Sequence, residues 1–98
     1  RDGVYVSDKV LEYLLNIVEA TRTSPYLSAG LSTRGALALA NTSKSDAFMR
    51  GRDFVVPENV KAVADHVICH RVIFRDEFEA ASQKEIIRSL LEKVRVPA

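Results

Sequence analysis

The chain has 98 residues and a mass of 10.9 kDa, and chains of this size rarely divide into separate cores. Its 47% hydrophobic content is ample for one helical core and argues against disorder. Fourteen Lys and Arg residues against thirteen Asp and Glu leave a net charge of +1. This balance does not suit a protein that binds by neutralising many phosphates, so we expect no nucleic-acid partner.

The cysteine count and the hydropathy of the sequence indicate the cellular compartment of the protein. The single cysteine, Cys69, cannot form an internal disulfide, which suits a reducing compartment. No apolar run approaches the ~18 residues that a membrane span needs, and residues 1–6 do not resemble a signal peptide. We therefore expect a cytoplasmic protein without a membrane span.

The first predicted element is an amphipathic helix over about 8–22. Apolar residues recur at helical spacing from Val10 to Val18, and polar residues share the opposite side. Ser7 is placed to cap this helix. The apolar arc extends to Tyr13, and an arc that wide predicts contacts on more than one side.

A loop and a second helix are predicted next. Residues 23–31 contain Ser, Pro and Gly and have the composition of a loop. The second helix is expected to begin at Ser32 and to end at Gly51, the kind of residue that terminates helices. Its middle, over 41–46, is polar and has modest helix propensity.

The third helix is predicted to follow a short extended segment. Residues 53–56 are extended by composition, and Pro57 fits the first position of a helix, where its missing N–H costs nothing. Residues 72–75 form a second short strand, which we expect to pair with 53–56. Residues 76–79 form an acidic connection.

The fourth helix has the clearest start signal in the sequence. Ser82 and Glu85 have the spacing of a capping box, an apolar stripe follows, and the helix should end before Pro97. The chain is thus predicted to be mainly α, a small four-helix bundle over 1–98 with one short strand pair.

Catalytic motifs are missing from the sequence. It has no G-x-x-x-x-G-K-[ST] phosphate loop, no G-x-G-x-x-G and no G-x-S-x-G elbow. The chain by itself is therefore not a nucleotide hydrolase, and we expect no catalytic residue in it.

Three residues on the third helix have the spacing of metal ligands. His66 and His70 are four residues apart, with Cys69 between them. The H-E-x-x-H pattern is absent and no other His or Cys exists, so we predict no metal site, a structural role for His70 and a surface position for His66. Burial should raise the pKa of Cys69 and keep it from acting as a nucleophile.

Arg34 is the most informative polar residue. It falls in the first turn of the second helix, after Ser32 and Thr33, where the helix dipole favours anions and an arginine does not help the helix. An arginine beside free N–H groups can form a phosphate site. The alternative is an arginine that is solvated or paired with an acid.

Three stretches in order resemble one family, the C-terminal lid domain of MoxR-type AAA+ ATPases. Residues 30–39 are similar to its G-x-S-P-R-x-x-x-x-L motif, residues 50–60 to its G-R-D-[YF]-V-x-P-x-[DN]-V motif, and residues 70–71 to its His-Arg pair. The V-x-V-P ending at 94–97 also matches. The resemblance covers essentially the whole chain.

The resemblance implies a role for Arg34. In that family the arginine of S-P-R is the second sensor, which reaches from the lid to the phosphates of ATP on the preceding core domain. Ser32 and Thr33 would accompany it at the helix N-terminus. The chain departs from the family at Thr33, where proline is usual, and at Val56, where a capping Thr or Ser is usual. Both departures concern stability more than the role of Arg34.

The same resemblance implies the context of the chain. It would be a C-terminal fragment, a lid whose ATP-binding core is absent, with ATP and Mg²⁺ bound in the full-length protein and no cofactor in the isolated domain. Its partners would be its own core, neighbouring subunits of a ring oligomer, and a client protein that is remodelled, assembled or loaded with metal.

Two other classes of function compete with the lid. A free-standing helical interaction module would use the apolar arc of the first helix as a groove for a partner helix and would need no nucleotide. A histone-like DNA-binding module is disfavoured by the balanced charge.

Overall fold

Four helices and one strand pair make up the part of the chain described by the structure, a computed structural model covering residues 3–77 and 80–98. Helices account for 64% of the described residues, which confirms the mainly α prediction. The elements are α1 (Asp8–Thr23), β1 (Leu27–Ala29), α2 (Thr33–Met49), α3 (Pro57–Cys69), β2 (Ile73–Phe74) and α4 (Ala80–Lys93). None of these described helices is both long and apolar enough to cross a membrane.

Helix α1 begins as predicted, but its buried face is narrower than the apolar arc. Ser7 is the N-cap, and its Oγ accepts a hydrogen bond from the Val10 N–H at 3.3 Å. Tyr13 is buried in the core, whereas Leu11 and Leu15 are 47% and 56% exposed. Part of the arc predicted from the sequence therefore faces outward.

Helices α2 and α3 form the centre of the bundle. Their contact is built from residues with almost no exposed surface, and small side chains let the two backbones approach. On α2 these are Leu39, Ser43 and Ala47, and on α3 Val60 and Ala64. Ser43 is satisfied locally, since its hydroxyl donates to the Leu39 carbonyl at 2.8 Å.

A polar network joins the start of α3 to the end of α2. Val56 is the N-cap of α3 and has no capping side chain, as expected. Asn59, which is buried, compensates: its Oδ1 accepts from the Val56 N–H at 2.8 Å, and its Nδ2 donates to Asp46 Oδ2 at 2.9 Å. Arg50 also donates to Asp46. These hydrogen bonds, with the one from Asn59 foremost, hold the pKa of the Asp46 carboxyl below its usual range.

The strand pair is antiparallel and contains the predicted second strand, but its partner differs from the prediction. β2 pairs with β1, with Leu27 opposite Phe74 and Ala29 opposite Ile73, so the expected pairing of 72–75 with 53–56 is wrong. The Ser, Pro and Gly residues of 23–31 suggested a loop, yet Leu27 is buried there.

Residues 53–56 pair instead with the N-terminal segment. The Tyr5 N–H donates to the Asp53 carbonyl at 2.8 Å, and the Val55 N–H donates to the Tyr5 carbonyl at 2.9 Å, in a parallel bridge. Val4 and Val55 are buried on this side of the molecule. The burial of Val4 and Val55 favours this pairing of residues 53–56 with the N-terminal segment and not with β2.

Helix α4 extends further toward its N-terminus than predicted. Ala80 is already helical, so Ser82 lies inside the helix and the capping box is not its start. Ala80 and Ala81 are strong helix formers that favour this extension. Phe78 and Glu79, part of the predicted acidic connection, lie outside the described residues.

Candidate functional site

The predicted site residues come together at the start of α2. Ser32 is the N-cap: its Oγ accepts from the Gly35 N–H at 3.1 Å, and its carbonyl accepts from the Ala36 N–H at 2.9 Å. Thr33 and Arg34 occupy the first two helical positions. Within the described ranges their N–H groups have no acceptor, as expected for the first turn of a helix. The helix therefore presents free donors beside an arginine.

Arg34 is exposed. The ion pairs among the described residues are Arg50 with Asp46 and Arg88 with Glu85, and the first turn of α2 carries no acid. Among residues 3–77 and 80–98, Arg34 is therefore not paired with an acid. Within those ranges no ion pair or side-chain hydrogen bond uses any of the five N–H donors of its guanidinium.

The residue just before the N-cap is held by the last turn of α1. The Leu31 N–H donates to Thr21 Oγ1 at 2.9 Å, and Thr21 Oγ1 in turn donates to the Val18 carbonyl at 2.7 Å. On the other side of Leu31, its carbonyl accepts from Arg22 Nε at 2.8 Å. Both polar groups of the Leu31 backbone are therefore bonded to consecutive residues of α1.

Gly30 allows this close contact between α1 and the loop. A Cβ at Gly30 would lie 2.5 Å from the carbonyl carbon and oxygen of Thr21, far inside van der Waals contact. Only a residue without a side chain fits there. Thr21 and Leu31 are each 1% exposed, so the contact is buried.

A second arginine lies beside the first turn of α2. A Cβ built on Gly35 would be 3.6 Å from Arg71 Cδ and 2.9 Å from Leu31 Cδ2. Arg71 is exposed, like Arg34. The sequence identifies Arg71 only as part of the His-Arg pair and gives no sign that it lies near the first turn of α2. The contacts of Thr21 and Arg22 with Leu31 have no signal in the sequence either, because neither residue lies in a recognised motif.

His66, Cys69 and His70 lie at the C-terminal end of α3. His66 and His70 are exposed, their ring centroids are 4.4 Å apart, and His70 Nδ1 is 2.8 Å from the His66 carbonyl oxygen. Across the described ranges no three potential ligands lie close enough to hold a metal ion. Burial and the hydrogen bond to Asp65 raise the pKa of the Cys69 thiol, which disfavours the thiolate.

One further pKa is shifted inside the core. Burial, with the nearby charge of Glu58, raises the pKa of Tyr13. Tyr13 lies on α1 and is 1% exposed, so its hydroxyl stays protonated at physiological pH. It takes no part in the surface at the start of α2.

Comparison with known proteins places this arrangement in a family context. The uncharacterized protein YeaC of Bacillus subtilis is 32% identical over 97 residues, 97% of this chain and 30% of its own length. The protein MoxR of Methylorubrum extorquens is 34% identical over 74 residues, 72% of this chain and 22% of its own. The chaperone MoxR1 of Mycobacterium tuberculosis is 28% identical over 104 residues, 95% of this chain and 28% of its own.

A solved structure agrees with these relatives. The crystal structure of a proposed ATPase from Cytophaga hutchinsonii superposes with a TM-score of 0.89 at 33% identity, over 99% of this chain and 33% of that one. The chain thus spans a third or less of the proteins it matches. Residues 19–90 match the family model described as the AAA lid domain. The chain therefore belongs to the AAA lid domain family and is a lid of the MoxR type.

Proposed function

We propose that this chain is the C-terminal lid of an ATP-hydrolysing MoxR-type protein, and that Arg34 contacts the γ-phosphate of ATP bound on a core domain outside these 98 residues. The observation that carries the proposal is an exposed arginine in the second position of α2, without an acid partner among the described residues. Such an arginine weakens its own helix, so a ligand better accounts for it than stability does.

The residues at the start of α2 fit a phosphate group. Arg34 offers a planar set of donors, and the N–H groups of Thr33 and Arg34 add two more. They do not fit Mg²⁺, since the first turn of α2 has no acid and Mg²⁺ prefers carboxylate oxygens. The Mg²⁺ ligands and the phosphate loop would come from the core domain.

The proposed mechanism is conformational. When ATP lies between core and lid, Arg34 holds the lid closed through a charge-assisted contact with the γ-phosphate. Hydrolysis removes that contact and lets the lid rotate. In a ring oligomer this rotation would displace a neighbouring subunit and so do work on a client protein, by chaperone-like remodelling, assembly or metal insertion. We place this activity in the cytoplasm.

The test is Arg34→Ala in the complete ATPase that contains this chain. Removing one electrostatic contact to the transferring phosphate should lower ATP turnover by roughly 10²-fold. In the 98-residue chain the same change should alter the free energy of unfolding by no more than about 0.5 kcal/mol, as is usual for exposed positions.

The matched control for Arg34→Ala is Arg88→Ala. Arg88 is also exposed but lies on α4 in an ion pair with Glu85, so its loss should leave turnover unchanged. Unaltered turnover in the complete Arg34→Ala enzyme would remove the sensor assignment and leave the fold assignment standing.

A second candidate function is a free-standing interaction module that binds a partner helix. Leu11 and Leu15 lie one turn apart on α1, and both are about half exposed, as such a surface requires. This function needs no ATPase core. A phosphate loop about 200 residues upstream of residue 1 in the same gene would decide for the lid.

A further inference from the structure

The hydrogen bond between Arg22 and Leu31 needs an explanation beyond stability. Thr21 is buried, and its bond to the Leu31 N–H satisfies a buried donor. Although Leu31 is buried, Arg22 is exposed and the hydrogen bond between them is only part-buried, so a water molecule can take the place of Arg22 at the Leu31 carbonyl. An exposed side chain that is held in one geometry contributes little to folding free energy, because ordering it costs entropy.

The position of this bond gives it a different use. Leu31 immediately precedes Ser32, the N-cap of α2, and Arg34 follows three residues after Leu31. The Leu31 N–H is bonded to Thr21, and the Leu31 carbonyl is bonded to Arg22. These two hydrogen bonds restrict rotation of the backbone on both sides of Leu31. The direction in which α2 begins is therefore fixed relative to α1.

We infer that Arg22 is a positioning residue for Arg34: its Nε, by holding the Leu31 carbonyl, sets where the first turn of α2 and the Arg34 guanidinium lie. This inference rests on the proposed function of Arg34. A displacement of about 1 Å at a phosphate contact can change a rate up to 10²-fold. An anchor on the preceding helix can therefore matter to turnover while contributing little to folding.

Two substitutions separate positioning from a direct charge contact. Arg22→Met keeps an unbranched side chain that reaches as far from Cα as Arg Nε does, and it removes the donor. Arg22→Gln removes the charge, but its amide nitrogen is as many bonds from Cα as Arg Nε and can donate to the same carbonyl. In the complete ATPase, Arg22→Met should lower kcat/KM for ATP by roughly tenfold. Arg22→Gln should restore most of that loss.

Arg75 provides a matched control. Its Nε donates to the Pro25 carbonyl at 2.7 Å, so an exposed arginine makes the same type of bond to a residue that precedes the N-cap Ser32 by seven positions instead of one. Arg75→Met should leave kcat/KM unchanged. Thermal unfolding of the 98-residue chain should shift little, and by a similar amount, for Arg22→Met and Arg75→Met.

A double-mutant cycle tests whether Arg22 acts through Arg34. In an Arg34→Ala background, Arg22→Met should cause no further loss of kcat/KM, because the residue that it positions is gone. A full additional tenfold loss there, or equal losses for Arg22→Gln and Arg22→Met, would overturn the inference. So would wild-type kcat/KM for Arg22→Met in an enzyme that Arg34→Ala impairs. If Arg34→Ala itself has no effect, the proposed function fails and the inference fails with it.

Discussion

Asp46 accepts hydrogen bonds from two side chains, and this makes one carboxylate responsible for the junction of α2 and α3. Asn59 reaches it from the first turn of α3, and Arg50 reaches it from the end of α2. Both donors favour the ionised carboxylate, which is why the pKa of Asp46 is lowered. The stability of this junction therefore depends on the protonation state of Asp46.

The expected pH dependence has a definite sign. Because the folded-state pKa of Asp46 lies below the unfolded value, its contribution to stability is complete above the unfolded pKa of about 3.9 and is lost as pH falls through the folded value. Asp46→Asn should therefore be less stable than wild type at pH 7, and the difference should shrink as pH falls from about 4 toward 2. Urea unfolding across this range measures the difference.

The control at this site is Glu85→Gln. Glu85 belongs to an exposed ion pair on α4, and such pairs contribute little to stability. Its difference from wild type should be small at every pH. A difference between Asp46→Asn and wild type that stays constant from pH 7 to pH 2 would contradict the assignment.

Two glycines near the end of α1 and the start of α2 should respond differently to alanine. At Gly30 the new Cβ would meet backbone atoms of Thr21 at 2.5 Å, and a backbone cannot yield without moving α1. Gly30→Ala should therefore cost about 2–3 kcal/mol or more. At Gly35 the nearest atom, at 2.9 Å, is the end of the Leu31 side chain, and alanine gains about 1 kcal/mol of helix propensity.

Denaturant unfolding of both variants measures the two losses of stability. Gly30→Ala should lose clearly more stability than Gly35→Ala. Equal losses would mean that the loop before α2 can move away from α1 without a cost in stability, so that the contact with α1 would not fix where α2 begins.

At the level of elements, the sequence predicted what local chemistry determines. Ser7, Ser32 and Pro57 mark helix starts because capping and the proline ring act within one turn. The partner of β2 was not predictable, because strand pairing depends on tertiary position and the composition around Leu27 is that of a loop. The start of α4 was misplaced for a similar reason, since the capping-box spacing at Ser82 competes with two preceding alanines.

In the candidate site, too, features set by local chemistry could be predicted and features set by tertiary position could not. Arg34 stood out because an arginine at a helix N-terminus conflicts with the helix dipole. Thr21 and Arg22 did not, since an ordinary threonine and arginine at the end of an amphipathic helix carry no local signal. Their hydrogen bonds form only when the loop folds back and brings the Leu31 backbone against α1.

For the molecule as a whole, we expect the 98-residue chain to have no ATP turnover of its own. It contains no phosphate loop, and a single exposed arginine with two free N–H groups supplies only part of a phosphate site. Phosphate release should equal that of a protein-free control. Turnover that disappears on substituting a residue of this chain would contradict the lid assignment.

The parallel bridge between Tyr5 and residues 53–55 gives the N-terminal segment two attachments. It continues covalently into α1, and its hydrogen bonds join it to the connection between α2 and α3. A segment with one attachment can rotate about it, whereas a segment with two attachments passes a force to both. A pull on the chain before residue 4 is therefore shared between α1, which holds Leu31, and the α2–α3 connection.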